Sequence, residues 1–126
     1  MSWKDYIEIN LLNTGTVSKA AIIGLDGNAW ACSFNFNVSP QEGLKAANGF
    51  ENPASVIDVG MYIDGQKYVV LSANSECILG KHGREGVVLY KTVKAIIVSM
   101  YDSGIQPGPC NATTGALADY FKRIGY

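Results

Sequence analysis

The spacing of hydrophobic positions changes along the chain, and each change predicts a different kind of element. Near the amino terminus, Ser2 and Asp5 have the spacing of a helix start, and a helix is expected from Ser2 to about Leu12, ending at the 13–15 turn. At ~100° per residue, its apolar side chains spread over well more than half of the helix circumference. A sheet buries only one stripe of a helix, so part of this surface is predicted to face another helix or a partner.

Two Asp-Gly dipeptides, Asp26-Gly27 and Asp64-Gly65, each lie between short apolar runs. This pattern is the strongest short-range signal for a β-hairpin, because both central residues of a type I′ turn need a positive φ. The chain therefore predicts two hairpins with tight turns. The paired segments are 20–25 with 29–33, and 61–63 with 67–71.

Two short helices are predicted between these hairpins. Ser39 is a suitable N-cap, Pro40 suits the first helical position, and Glu42 has the spacing of a capping box. The helix that they begin is expected to stop near Gly49. An Asn-Pro pair then starts a shorter helix over 52–57 by the same reasoning.

The later part of the chain is rich in Val, Ile and Tyr, in short segments over 77–79, 87–90 and 95–100. These segments are too close together for the crossover connections of parallel strands, so an antiparallel sheet is expected. A Gly- and Pro-rich loop, 104–109, precedes a last helix from roughly Cys110 to Ile124. The chain thus predicts an α+β fold, with helices packed on an antiparallel sheet.

Composition agrees with one globular domain over residues 1–126, since 48% of residues are apolar and 17% are charged. The three cysteines are far apart, and no basic start followed by an apolar stretch opens the chain. We therefore expect free thiols and a cytoplasmic protein. No apolar run is long enough to cross a bilayer.

Charge is unevenly distributed although the net charge is −1. Three Lys against seven Asp and Glu give −4 over residues 1–66, whereas five Lys and Arg against two Glu give +3 over residues 67–100. The basic segment predicts an anionic partner surface, but lysines that protect a solvated sheet edge explain it equally well. It is too weakly basic to indicate nucleic acid.

The sequence gives little support for a catalytic or metal-binding function. Cys32, Cys77, His82 and Cys110 lack the paired spacing of a structural zinc site, and no metal or other cofactor is expected. Nothing orients His82 towards Cys77 as the base of a nucleophile pair. The Gly80–Gly86 segment lacks the Lys-Ser/Thr of a phosphate-binding loop and is better explained as a hairpin turn. We therefore expect a protein that is not an enzyme.

Several short motifs together resemble the profilin family, of the short type found in amoebae and fungi. They are SWKDYI at residues 2–7, LDGNAWA at 25–31, ILGKHG at 78–83, the KT and AIIV strand pair at 91–98, IQPG at 105–108 and LADYF at 117–121. They occur in the order and at the spacing of that family, from residue 2 to residue 126. The combination of motifs from both ends and the middle of the chain is specific.

The resemblance implies the fold more closely: a central antiparallel sheet of about six strands, with the terminal helices on one face and two short helices on the other. It also implies a monomer that binds monomeric actin and proline-rich proteins such as formins, with anionic phosphoinositide lipids as a third partner. Such a protein is associated with the cytoskeleton, delivers actin monomers to assembly factors and regulates filament growth.

The resemblance further implies a poly-proline groove between the terminal helices. Flat aromatic rings suit a polyproline II helix, because that helix is preformed and exposes carbonyl groups that Trp N–H and Tyr O–H can reach. Taken singly, Trp30 and Tyr120 are better explained by ordinary core packing, and it is the joint match to the family that favours the groove. The residues that match the groove positions are Trp3, Tyr6, Trp30, Tyr120 and Tyr126.

Two further sets of residues follow from the resemblance alone. Lysines of the first set are expected to meet an acidic actin surface, around an apolar centre. The actin-binding positions are Ile57, Lys67, Val70, Lys81, His82, Lys91, Gln106, Gly108 and Asn111. The phosphoinositide-binding positions are Lys81, Arg84 and Lys91.

The chain departs from the family pattern where an Arg and an acidic residue commonly follow the YVVL segment, because Ser72, Ala73 and Asn74 stand there instead. The missing Arg removes a contact with several hydrogen-bond donors, which a lysine elsewhere on the surface could not fully replace. This keeps open an alternative function, a proline-rich-ligand adaptor with weak or lost actin binding. A small enzyme or ligand-binding domain on a similar scaffold is a second alternative, because fold does not determine function.

Overall fold

Seven antiparallel strands form one sheet in the computed structural model, which describes residues 1–126. The spatial order is β2-β1-β7-β6-β5-β4-β3, so only the β1–β7 pair joins strands that are distant in sequence. The antiparallel sheet is confirmed, with one strand more than the approximate number expected. The strands are β1 Lys19–Gly24, β2 Ala29–Cys32, β3 Met61–Ile63, β4 Gln66–Ala73, β5 Cys77–His82, β6 Glu85–Lys91 and β7 Ala95–Tyr101.

Four helices cover the sheet. α1, Trp3–Asp5, continues into a wider π-helical segment, Tyr6–Leu11, and a 3₁₀ turn, Leu12–Thr14; these three pieces are called the amino-terminal helix below. The remaining helices are α2 Pro40–Glu51, α3 Pro53–Val59 and α4 Pro107–Arg123. No helix is both long enough and apolar enough to cross a membrane.

The core consists of two layers, one on each face of the sheet. The layer beneath α2 and α3 contains Phe50 and Ile78, and the layer beneath the terminal helices contains Ile22 and Phe121. Alternation along the strands explains this division, because successive side chains point to opposite faces. The predicted placement of the terminal helices on one face and the two short helices on the other is confirmed.

Local sequence explains where the helices begin. Ser2 with Asp5, and Ser39 with Glu42, form capping boxes in which side chain and backbone exchange hydrogen bonds. Glu42 also accepts hydrogen bonds from the backbone N–H groups of residues 64 and 65, at 2.9 and 2.7 Å. One carboxylate thus caps α2 and holds the β3–β4 turn against it.

The two Asp-Gly turns differ. Asp64 and Gly65 both have positive φ, 51° and 76°, as the type I′ prediction requires. At Asp26-Gly27 only the glycine does, with φ of 92°, so the type I′ prediction is wrong for this hairpin. The Asp26 carboxylate instead accepts hydrogen bonds from the N–H and side-chain amide of Asn28, which also lower its pKa.

The last helix begins earlier than predicted. The sequence indicated a loop through residue 109, but α4 starts at Pro107. Proline is tolerated there because the N–H groups of the first helical turn have no partner within the helix. The early start places Gly108 and Asn111 on one helix, beside the sheet.

One contact between elements depends on two glycines. A Cβ atom added at Gly43 of α2 would lie 2.2 Å from the Gly27 carbonyl oxygen, and one at Gly27 would lie 2.6 Å from the Leu44 nitrogen. Because these neighbours are backbone atoms, they cannot rotate away as a side chain would. The β1–β2 turn therefore meets α2 at a distance that only glycine permits.

Candidate functional site

Five aromatic side chains from both ends of the chain and from β2 form a continuous row, called the aromatic groove below. Trp3 occupies its middle, with ring centroids 4.8 Å from Trp30, 5.0 Å from Tyr126 and 6.0 Å from Tyr6. Tyr6 in turn lies 5.9 Å from Tyr120 of α4. The sequence-predicted groove residues are thus all brought together.

These rings are neither buried nor isolated. Tyr120 and Tyr126 are each 37% exposed, and Trp3, Tyr6 and Trp30 are half-buried, packed against the core layer beneath them. Fully buried Phe121 forms the floor, 5.6 Å from Trp3 and 5.2 Å from Tyr6. The faces and edges that remain open form an aromatic surface whose side chains also carry Trp N–H and Tyr O–H groups.

The amino-terminal helix positions two of these rings through its unusual geometry. Ile7 and Leu11 of the π-helical segment are fully buried and anchor it to the core. Beyond the segment, the Thr14 hydroxyl lies 2.7 Å from that of Thr16, which lies 2.7 Å from that of Thr113 in α4. Single-turn π-helical pieces are frequent at functional sites.

Tyr126 is held by the β6–β7 turn, which the sequence did not indicate as part of the site. The Thr92 hydroxyl and the Lys94 backbone N–H donate to the Tyr126 backbone oxygen at 2.7 and 2.5 Å. The Lys94 ammonium lies 5.0 Å from the centre of the Tyr126 ring. The last ring of the aromatic groove is therefore fixed from its backbone and from its face.

Thr92→Val is expected to weaken binding of a proline-rich peptide about threefold to tenfold, because it removes the hydrogen bond to the Tyr126 backbone oxygen, worth roughly 1 kcal/mol, and so loosens Tyr126. Isothermal titration calorimetry with decaproline measures the effect. Thr92→Ser keeps the hydroxyl and is expected to bind as the unmutated protein does. Equal affinities for all three proteins would show that Tyr126 needs no support from this turn.

The Tyr6 phenol of the aromatic groove can act as a hydrogen-bond donor. Interaction with the Tyr120 hydroxyl, with a further contribution from desolvation, raises the pKa of Tyr6. Its hydroxyl is therefore protonated at neutral pH and can donate to a carbonyl oxygen. Proline carbonyls are such acceptors, because a polyproline II helix satisfies none of them internally.

A second exposed surface lies on the same sheet face, where the sheet extends beyond α4. Its apolar centre is unusually exposed: Tyr62 is 51%, Val69 61% and Leu71 62% accessible. Lys67 lies opposite Tyr62, and Lys81 lies opposite Val69 in the strand register. Together with Gly108 and Asn111 of α4, these residues are called the β4 face below.

A small apolar cavity of about 150 Å³ opens on the β4 face, lined by Leu71, Leu79, Lys81 and the start of α4. The Lys81 ammonium lies 5.6 Å from the centre of the Tyr101 ring in its floor. An exposed apolar patch flanked by lysines is typical of a protein-binding surface, because monomeric proteins rarely expose several neighbouring apolar side chains.

Three predicted actin-binding residues of the strands point to the opposite face of the sheet. Val70 is only 4% exposed and belongs to the opposite core layer, so the prediction that it forms part of a surface is wrong. His82 and Lys91 point to that opposite face as well, His82 towards Tyr68 and Lys91 to Glu51 at 3.3 Å. The cause is the two-residue repeat of a strand, which exposes Val69 in place of Val70.

The nine predicted actin-binding positions are therefore divided between the β4 face and other parts of the molecule. Four of them, Lys67, Lys81, Gly108 and Asn111, lie on the β4 face. Ile57 is 45% exposed on α3, which packs along β4, and Gln106 is an exposed N-cap of α4.

The predicted phosphoinositide residues are not brought into one cluster. Lys81 and Arg84 lie at one end of the β5–β6 hairpin, with Arg84 in its turn. Lys91 is five residues along β6 from the partner of Lys81, about 17 Å away at ~3.3 Å per residue, and it points to the other face. The basic site reduces to Lys81 and Arg84.

Tyr90 of β6 lies against two positions of α4, Gly115 and Asn111. A Cβ atom at Gly115 would lie 3.2 Å from the Tyr90 ring, so glycine lets the helix approach β6 closely. The Tyr90 hydroxyl donates a hydrogen bond to the Asn111 side chain, which orients it beside the β4 face. Burial, with a lesser contribution from Cys77, raises the pKa of Tyr90 to about 12 and keeps this donor protonated.

Comparisons with known proteins agree on one family. A family model described as Profilin matches residues 1–126. The chain is 48% identical to profilin-3 of Caenorhabditis elegans and 45% identical to profilin-A of Physarum polycephalum, in each case over 126 residues and all of both chains.

Solved structures agree as well. Profilin II of Acanthamoeba castellanii matches with a TM-score of 0.97 at 42% identity, over 99% of this chain and 100% of that chain. Mouse profilin IIa, solved in complex with a double repeat from the FH1 domain of mDia1, matches with a TM-score of 0.82 at 19% identity, over 100% of both chains. At that identity the mouse structure shows the fold alone. The whole-length family match and the relatives at 40% identity and above show that this chain belongs to the profilin family.

Proposed function

We propose that this protein binds proline-rich segments of other proteins in the aromatic groove. The observation that carries this proposal is the unbroken row of five half-open rings from Trp30 to Tyr120. A proline helix loses little conformational freedom on docking, and flat rings lose little side-chain entropy, so such a surface can bind a ligand that offers only proline rings and carbonyls.

The mouse profilin solved with an FH1 repeat supports the partner class, because it shows that this fold accepts a segment of that kind in at least one protein. Formin-type assembly factors are the proposed partners. Titration with decaproline is expected to give a saturable change in tryptophan fluorescence, since Trp3 and Trp30 both line the groove. A flat titration would contradict the proposal.

The β4 face supports a second function, the binding of monomeric actin. Its exposed apolar centre, Val69 and Leu71, supplies area that can be desolvated, and Lys67 and Lys81 supply charge for an acidic partner. With both surfaces in use, the protein delivers actin monomers to proline-rich assembly factors. Lys81 and Arg84 remain the proposed contacts for an anionic lipid headgroup.

Lys81→Glu is expected to weaken actin-monomer binding about tenfold, because it reverses the charge beside the apolar centre and removes the contact with Tyr101. The change in the critical concentration of actin assembly, measured by sedimentation, gives the affinity. Lys45→Glu on α2 is the matched control, since it makes the same charge change on an exposed residue beneath the other sheet face.

The adaptor alternative predicts a different outcome. If the unmutated protein leaves the critical concentration unchanged while it binds decaproline, the actin function is excluded and the proline-binding function is retained. The Ser72–Asn74 segment at the end of β4 is then the first place to restore a basic residue.

A further inference from the structure

The aromatic groove does not end at Tyr120. An open cleft of about 430 Å³ continues from this ring between the amino-terminal helix and α4. Asn10 lines one side, and Thr113, Ala116 and Arg123 line the other. A segment that leaves the last stacked ring therefore enters a polar cleft and not bulk solvent.

Arg123 is the only charged side chain that lines this cleft. Its guanidinium carbon lies 5.8 Å from the centre of the Tyr120 ring, within cation–π range. Neither of the two ion pairs of the molecule involves it: Lys91 pairs with Glu51, and Lys122 with Glu76. Arg123 is thus a cation without an ion-pair partner at the end of the groove.

The position of Arg123 has a chemical consequence. The ring does not neutralise its charge, and the guanidinium N–H donors can bind a carboxylate through two parallel hydrogen bonds. The ring also restricts the side chain before any ligand arrives, so less entropy is lost when the pair forms.

We propose that Arg123 is a specificity-determining residue that selects proline-rich segments carrying an acidic side chain just beyond the prolines. This proposal rests on the proposed proline-binding function and names the ligand class more closely. Since a polyproline II helix rises ~3.1 Å per residue, the 5.8 Å between Arg123 and the Tyr120 ring corresponds to about two residues. The carboxylate is therefore expected within two or three residues of the last stacked proline.

The test compares three synthetic peptides with the full chain: decaproline, decaproline followed by two Asp residues, and decaproline preceded by two Asp residues. Calorimetry at low and moderate salt gives each affinity. One of the two acidic peptides is expected to bind about threefold to fivefold more tightly than decaproline, the size typical of a partly exposed ion pair. Added salt is expected to reduce this gain.

Two variants separate Arg123 from a general charge effect. Arg123→Gln is expected to bind decaproline within about twofold of the unmutated protein and to lose the acidic preference. Lys122→Gln makes the same change of net charge one residue away, on a side chain paired with Glu76, and is expected to keep the preference.

The outcomes are distinct. An acidic gain that disappears only in Arg123→Gln supports the proposal. No gain, a gain retained in Arg123→Gln, or an equal loss in Lys122→Gln overturns it while the proline-binding function stands. Failure of decaproline itself to bind overturns both.

Discussion

Trp3→Ala is expected to abolish measurable binding of proline-rich peptides, or to weaken it at least thirtyfold. Trp3 lies in the middle of the aromatic groove and contacts Trp30, Tyr126, Tyr6 and Phe121. Its removal takes away the largest stacking face and leaves the neighbouring rings without their support. Central aromatic residues of interfaces contribute about 2 to 4 kcal/mol on truncation, which corresponds to a factor of roughly thirty or more.

Calorimetry with decaproline measures this effect. Ile9→Ala is the matched control, because Ile9 belongs to the same helix, is 54% exposed and is not one of the groove residues. Trp3→Phe keeps a flat ring without the indole N–H, and its affinity for decaproline is expected to lie between those of Trp3→Ala and Ile9→Ala. Retained affinity in Trp3→Ala, with circular dichroism unchanged, would remove the groove as the binding site.

Gly43→Ala is expected to lower the free energy of unfolding by about 3 kcal/mol or more. The added Cβ would lie 2.2 Å from the Gly27 carbonyl oxygen, a distance that heavy atoms do not adopt, so the β1–β2 turn or α2 must shift. Helix propensity alone predicts the opposite sign, since Ala stabilises a helix interior by about 1 kcal/mol relative to Gly. The direction of the change therefore decides which effect prevails.

Urea unfolding of the unmutated protein and of Gly43→Ala gives the difference in the free energy of unfolding. Gly104→Ala is the control, because an added Cβ there has no neighbour within 4 Å and Gly104 has no positive φ. That variant is expected to stay within about 1 kcal/mol of the unmutated protein. A Gly43→Ala protein that is as stable as Gly104→Ala would contradict the close approach of the turn to α2.

Most elements of the fold could be predicted because their signals are local. The capping box at Ser39 and Glu42 and the Asp64-Gly65 turn each depend on residues next to one another, and both were predicted correctly. The Asp26-Gly27 turn has the same two residues as the Asp64-Gly65 turn but a different backbone geometry, because Asn28 offers the Asp26 side chain a hydrogen-bond partner. The π-helical course of Tyr6–Leu11 has no sequence signal that we recognise.

The candidate site could be predicted where residue type was enough. The groove rings are large and of one chemical class, so the family motifs located all five. The β4 face was harder to predict. The segment Tyr68-Val-Val-Leu71 is apolar throughout, so its sequence does not show which alternate side chains face solvent. The support that Thr92 gives Tyr126 joins residues 34 positions apart and follows only from tertiary structure.

Helix α4 connects both proposed surfaces. Gly108 at its start borders the β4 face, and Tyr120 near its end belongs to the aromatic groove. Twelve residues at ~1.5 Å each separate them by about 18 Å along one uninterrupted helix. The two surfaces are therefore separate enough to be occupied at the same time, and a tether that joins Gly108 to Tyr120 must span at least this length, or about six extended residues.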